Sequence, residues 1–456
     1  MQVVLSQPLR PQAILFSDFL MALFQALDAE GVRFCVLRNY QGFPASNIGN
    51  DIDLLISPSD LPRVIRVIRS IKGICVVGYA ERHCVASVFL EGISQDRDSR
   101  ALQIDFDLCL TWKGLPYLLT DAVLEAAIPR QAGNLSFLVP SPVHEAISSL
   151  LASLLVGGWL KEKYFPQVQR TFDSDRSEVV AALKPLFGQK LSTRLVNAVI
   201  EGNRRKLLGC VRPLRIALLL RSLWHRPLHS VLAIVRHYAG EFAFRHSSRS
   251  RETVFILASD GEGKSNIAEA LMPGLQAVAA MVEKRPLWPR LPVARRSLES
   301  TPGIDCHAPS PTGSSVSMVE AVLWTVNEWL SQFAEKRNFT LIIRESYYPD
   351  LLINPQSCRY GGSKWFARLV GKFIPSPVLW ILLDPADEGL PSRNTERPGG
   401  NTYRQREAYR AFVMTRKNHV ILNASQPVAE LTEEAYAAII ETLARRADRQ
   451  LRKRFQ

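Results

Sequence analysis

Two stretches of this chain hold residues whose types and spacing suit phosphate chemistry. The first is Glu252 to Asn266, ETVFILASDGEGKSN. A run rich in β-branched and apolar residues leads into a turn with two glycines, and Lys264 and Ser265 close it. Ile267 and Leu271 then follow at helical spacing. Strand, glycine turn, Lys-Ser and helix form the setting of a phosphate-binding loop. Backbone N–H groups at the helix start point at an anion, and the helix dipole favours negative charge there. The cradle would comprise Ser259, Asp260, Gly261, Glu262, Gly263, Lys264, Ser265 and Asn266. Lys264 would reach the β/γ-phosphates of ATP, and the Ser265 hydroxyl would ligate Mg²⁺. Ala258 stands where the motif has its first glycine, which narrows the backbone freedom of the turn.

The second stretch is Asp51-Ile52-Asp53-Leu54-Leu55-Ile56, whose alternation puts both aspartates on one face of a strand. Leu102 to Leu108 alternates likewise, with Gln103, Asp105 and Asp107 sharing a face. A pair of aspartates on one strand and a carboxylate on its neighbour can hold one or two Mg²⁺ ions for nucleotidyl transfer. The alternative is two strands with acidic, solvent-facing outer surfaces.

The elements that must position these residues divide the chain into three segments: 1–140, 141–245 and 252–456. Residues 13–30 show helical periodicity, and Phe34 to Leu37 reads as a strand. From Pro140 the pattern turns helical, with Ser141 a cap, Pro142 in the first turn, and Lys161 and Lys163 closing the helix. After the glycine turn, Phe339–Ile343, Val378–Leu383 and His419–Leu422 read as strands. Met318–Phe333, Ala408–Met414 and Thr432–Arg454 read as helices. Residues 284–315 read as a substrate-binding loop and 387–405 as a lid. Strands and helices alternating after a phosphate loop imply an α/β fold with a mainly parallel sheet.

The net charge is +13, and residues 155–251 carry 18 Lys and Arg against 6 Asp and Glu. Such a segment meets something acidic. It is either the helical half of a transferase, lining a cleft for an anionic substrate, or a face for an anionic membrane surface. Apolar residues lie almost all round these helices, which favours burial and so the first reading. No nucleic-acid-binding signature accompanies the charge, so no nucleic-acid partner is expected. The seven cysteines form no CxxC pair, and no leader segment is visible; a cytoplasmic location is expected.

GNDIDLLI at 49–56, with IDFD at 104–107, resembles the nucleotidyltransferase superfamily of DNA polymerase β type. The resemblance implies an N-terminal α+β domain with a helical extension. It puts Gly49 and Asn50 at the Gly-Ser turn, Asp51 and Asp53 at the paired acids, and Asp105, with Asp107 as alternate, at the third acid. The other half resembles the thymidylate kinase-like group of P-loop kinases, and more narrowly the kinase-like proteins that accompany bacterial surface-polysaccharide synthesis. The carrying strings are ASDGEGKS at 258–265, YYPDLLINPQSCRYGGSKWFARLVGKFIPSP at 347–377 and LWILLDP at 379–385. RNY at 38–40, WKG at 112–114, PSPVHEAISSLLASLL at 140–155 and KEKY at 161–164 agree with the same group.

That group carries Asp-Arg after its second strand, where this chain has Glu345 and Ser346. Glu345 retains a carboxylate for magnesium or the acceptor proton. Ser346 does not replace a guanidinium, and Arg344 would do so only through a bulge. Arg393 stands at the group's lid arginine and is either that residue or a solvated charge. Asn423 stands near the group's adenine position. The resulting expectation is an ATP- and Mg²⁺-dependent kinase of a sugar or polyol-type hydroxyl acceptor, joined to a Mg²⁺-dependent nucleotidyltransferase. The alternative is a nucleotide-binding scaffold whose sites have decayed.

Overall fold

The structure is a computed structural model describing residues 13–47, 51–94, 100–158, 161–246, 251–259, 263–285, 313–334, 339–345, 348–355, 360–385 and 400–455. Contacts group the chain into two units, one around residues 11–244 with 450–456, the other around residues 245–449.

In the first unit β1 (Phe34–Arg38), β2 (Asp51–Ile56), β3 (Cys75–Glu81), β4 (Val85–Glu91) and β5 (Ala101–Asp107) form one sheet in the order β1-β2-β5-β4-β3. Strands β2 and β5 run parallel, and the remaining pairings are antiparallel. Period-two alternation sends Ile52, Leu54 and Ile56 to one face. They pack there on α1 (Phe16–Ala29) and α2 (Leu61–Ser70), whose buried residues recur at helical spacing. Cys35, Leu37 and Leu55 point the other way, into a second core built with α3 (Pro142–Leu151), α4 (Phe165–Ser174), α5 (Arg176–Phe187), α6 (Gln189–Ile200) and α7 (Arg204–His225). The aspartates of β2 share this second face. At the β3 edge Arg454 forks onto Glu81 at 2.8 and 2.9 Å.

Two local expectations are corrected here. Helix α3 stops at Leu151 and passes into a π turn at Ala152–Gly157, ended by Gly158 at φ +70°. Lys161 and Lys163 therefore lie beyond the helix. The expected burial of the basic helices holds for one face of each of α4, α5, α6 and α7. The next helix, α8 (Pro227–His246), exposes most of its apolar residues.

In the second unit β6 (Arg251–Leu257), β7 (Met281–Lys284), β8 (Thr340–Arg344), β9 (Leu379–Asp384) and β10 (His419–Asn423) are all parallel, in the order β7-β8-β6-β9-β10. This is an α/β fold. Helices α9 (Lys264–Val278), α10 (Ser314–Ala334), α11 (Tyr348–Ile353), α12 (Lys364–Phe373) and α13 (Gly400–Met414) connect or cover the strands. Strands buried on both faces read as unbroken apolar runs, and β9, LWILLD, is buried throughout. Its Trp380 stacks on Phe255, and Trp324 and Tyr409 are almost fully buried beside them. Strand β7 has no counterpart in the sequence reading, because MVEK is four residues long and mixes charge with apolar residues. Of the expected lid 387–405, residues 400–405 belong to α13; residues 386–399, with Arg393, lie outside the described residues. Most of the expected loop 284–315 lies outside them too.

Candidate functional site

Strand β6 is the first of its sheet, yet it lies between the third strand, β8, and the fourth, β9. The chain leaves β6 toward one side of the sheet and leaves β8 toward the other. In open parallel sheets the crevice at such a reversal, outside the carboxyl ends of the strands, receives ligands. The Gly-Lys-Ser turn lies at the carboxyl end of β6 and Glu345 follows β8, so both border that crevice. Gly263 takes φ +76°, a left-handed conformation in which a side chain would be strained, and from it α9 starts at Lys264. The Lys264 ammonium donates to the Ala258 carbonyl, just past the carboxyl end of β6, at 2.8 Å. Ser265 Oγ donates to Glu345 Oε2 at 2.8 Å. Ser259 Oγ is buried, with no hydrogen-bond partner among the described residues. Asn266 lies in the first turn of α9; Asp260, Gly261 and Glu262 lie outside the described residues.

Further charged residues stand at the ends of the neighbouring strands. Lys284, at the end of β7, pairs with Glu345 Oε1 at 2.5 Å and with Glu269 at 3.1 Å. Asp384, at the end of β9, is held by two α13 arginines: Arg406 Nε at 3.0 Å and Arg410 Nη2 at 2.5 Å. The arginine expected in this region from the sequence, Arg393, lies outside the described residues. Arg344 is buried in a regular ladder opposite Phe255, with no bulge to redirect it. Asn423 pairs with Asp384 across β9 and β10 and accepts from the Ser425 N–H. Ser346 lies outside the described residues.

The first unit carries the acids. Parallel pairing sets Asp53 opposite Asp105 and Asp51 opposite Gln103. Asp51, Asp53 and Asp105 each present a ligand atom within 4.8 Å of the others. Asp107 falls opposite Leu55 and outside this group. Burial, and then the neighbouring aspartates, raise the Asp51 and Asp105 carboxyls above their ordinary range. Mutually destabilised carboxylates are a donor set for a hard divalent cation, which Mg²⁺ is. Gly49 and Asn50 lie outside the described residues.

Arg38 sets the electrostatics here. Its Nε and Nη2 donate to the two Asp53 oxygens, both at 2.6 Å, in the bidentate geometry that matches guanidinium to carboxylate. Each carboxylate oxygen keeps a second lone pair, so Asp53 can serve the arginine and a cation together. The three residues Arg38-Asn39-Tyr40 each secure a distant partner. Asn39, at φ 63°, accepts from the Tyr164 hydroxyl at 3.2 Å, and the Tyr40 hydroxyl donates to Glu145 at 2.7 Å. The strings RNY, HEA and KEKY thus meet around one end of the acidic face. Tyr40→Phe leaves the buried Glu145 short of a donor, and urea denaturation should record a loss of about 1–3 kcal/mol.

Beside the acids lies a cavity of about 350 Å³, lined by Arg38, Asp107, Thr111, Tyr117, Ser149, Lys161 and Tyr164 among others. Small-molecule sites start at about 300 Å³. Burial pushes the Asp107 carboxyl up to about 7 against the opposing pull of Arg38.

No protein-family model and no curated protein matches the sequence. Among solved structures, a thymidylate kinase from Ehrlichia chaffeensis is similar over 41% of this chain and 97% of its own, at 12% identity and a TM-score of 0.28. A likeness at that score carries no argument about the site.

Proposed function

We propose that this chain is an ATP-dependent phosphotransferase whose kinase site is the crevice between β6 and β8. The observation that carries the reading is the convergence of Lys264 and Ser265 with Glu345 at the reversal point of a parallel sheet. The turn and the start of α9 bind the phosphates, and Lys264 offsets their charge. Mg²⁺, held through the Ser265 hydroxyl, would supply charge neutralisation to the phosphates. Glu345 accepts the proton of the acceptor hydroxyl, and Lys284 orients that carboxylate. Arg406 and Arg410, clamped by Asp384, supply positive charge on the far side of the crevice.

The resemblance to polysaccharide-associated kinases supports a sugar or polyol as acceptor. In the same reading the first unit is a Mg²⁺-dependent nucleotidyltransferase. Asp51, Asp53 and Asp105 hold the cation, and the cavity beside them receives the acceptor. The test is calorimetry and product analysis on the full chain, with ATP and Mg²⁺ and a panel of sugars and polyols. Binding together with acceptor-dependent ADP release is expected. No heat of ATP binding would sink the kinase assignment.

A second reading is favoured by a specific pattern. Glu345 and Asp53 are each neutralised by an internal cation, Lys284 and Arg38. Such pairs suit a nucleotide-binding protein that does no chemistry. ATP binding without turnover across the whole panel would select it.

A further inference from the structure

Helix α7 buries Leu207, Cys210, Val211, Leu214 and Leu218, residues that recur on one face. Its outer side leaves Ile216, Leu220 and Trp224 exposed, the last at 86%. Helix α8 is likewise held by one face. Its Ala233 carbonyl comes so close to Gly114 that a Cβ there would lie 2.4 Å away; Gly240 abuts His83, and Arg82 covers the Phe244 ring. The opposite face carries Leu228, Val231, Leu232, Val235, Tyr238 and Phe242, all exposed, with Leu228 at 86%. Their spacing of three, four and seven residues makes one continuous apolar stripe along the helix. Exposed apolar surface of this extent marks an interaction site.

Charge identifies the occupant. Of the nine Lys and Arg in residues 204–246, Arg204 and Lys206 pair with Glu162 and Glu201 and Arg215 holds the Leu155 carbonyl, while Arg212, Arg221, Arg226 and Arg236 are exposed and Glu241 is the one acidic residue. A second copy would bring the same excess of positive charge against itself. Nucleic acid would answer the arginines and leave the aliphatic stripe in water. An anionic lipid surface satisfies both: the stripe enters the headgroup boundary while the arginines meet the headgroups. Trp224 and Leu228 stand at the corner between the two helices, and tryptophan favours the membrane interface. No described helix is long and apolar enough to cross a membrane, which fits attachment along the surface. We infer that the exposed apolar face of α8, with Trp224 at the end of α7, docks the chain onto anionic membranes.

The full chain is to be sedimented with vesicles of phosphatidylcholine alone and of phosphatidylcholine with phosphatidylglycerol. Sedimentation is expected with the anionic vesicles only, weakening as salt is raised. A Trp224→Ser/Leu228→Ser/Val235→Ser variant should bind at least about tenfold more weakly, since lipid affinity scales with buried apolar area. Because these side chains are solvated, the variant should melt with the wild type. Arg226→Glu/Arg236→Glu should weaken binding by a similar factor at low salt. Failure of the wild type to sediment at low salt overturns the inference, as does undiminished binding by the apolar variant. A concentration-dependent dimer that the same apolar changes abolish would assign the face to a second copy instead and equally overturn it.

Discussion

Lys264→Ala should weaken the affinity of the full chain for ATP·Mg²⁺, and any turnover that depends on it, by about 10²- to 10³-fold. Lys264 starts α9 and its ammonium is tethered to the Ala258 carbonyl at 2.8 Å, so in the proposed site it lies where phosphate charge would gather. Its removal takes away a cation that the helix dipole only partly replaces. The residue lies outside the hydrophobic core, so the nucleotide-free melting temperature should hold while the stabilisation by ATP disappears. Lys264→Arg should rescue little, because a planar fork does not mimic a compact ammonium in a tight turn. Calorimetry decides the matter. Wild-type affinity in the alanine variant would mean that the nucleotide binds elsewhere.

The second large effect is expected at Arg38. Asp53 is 2% exposed and both of its oxygens take hydrogen bonds from this guanidinium. Arg38→Ala leaves a buried carboxylate uncompensated, which costs about 3–5 kcal/mol. Urea denaturation in metal-free buffer should show the loss. Millimolar Mn²⁺, as a stand-in for Mg²⁺, should recover part of it, since a divalent cation among Asp51, Asp53 and Asp105 does for Asp53 what the arginine did. The wild type should gain less from the same ion because Arg38 already neutralises the site. Equal responses in the two proteins would remove the acids from cation binding. The kinase-site experiments bear on Lys264 and this one on the first unit, so either assignment can fail without the other.

Much of both sites was legible in the chain because the information is local. A strand, a two-glycine turn and a helix start are each written in fewer than ten consecutive residues, and together they specify where Lys264 and Ser265 stand. Alternation alone predicted that Asp51 and Asp53 share a face and that Asp105 shares one with Asp107. The local signal also failed locally. The sequence of α8 looked evenly apolar and suggested burial, yet whether an apolar stripe is covered depends on what is packed against it. For α8 the packing surface is one narrow strip around Gly114 and His83.

What the sequence by itself determined, then, is which residues are of types suited to phosphate chemistry and on which face of their own element they lie. Tertiary structure alone decided which of those residues meet, and which cations they meet. Glu345 is paired with Lys284 because topology lays β7 beside β8; Asp105 faces Asp53 because β2 and β5 run parallel in that register. Asp384 takes Arg406 and Arg410 because α13 returns to the end of β9. Periodicity reports the burial of near neighbours in the chain, whereas an ion pair is chosen by elements that the chain brings together only after folding.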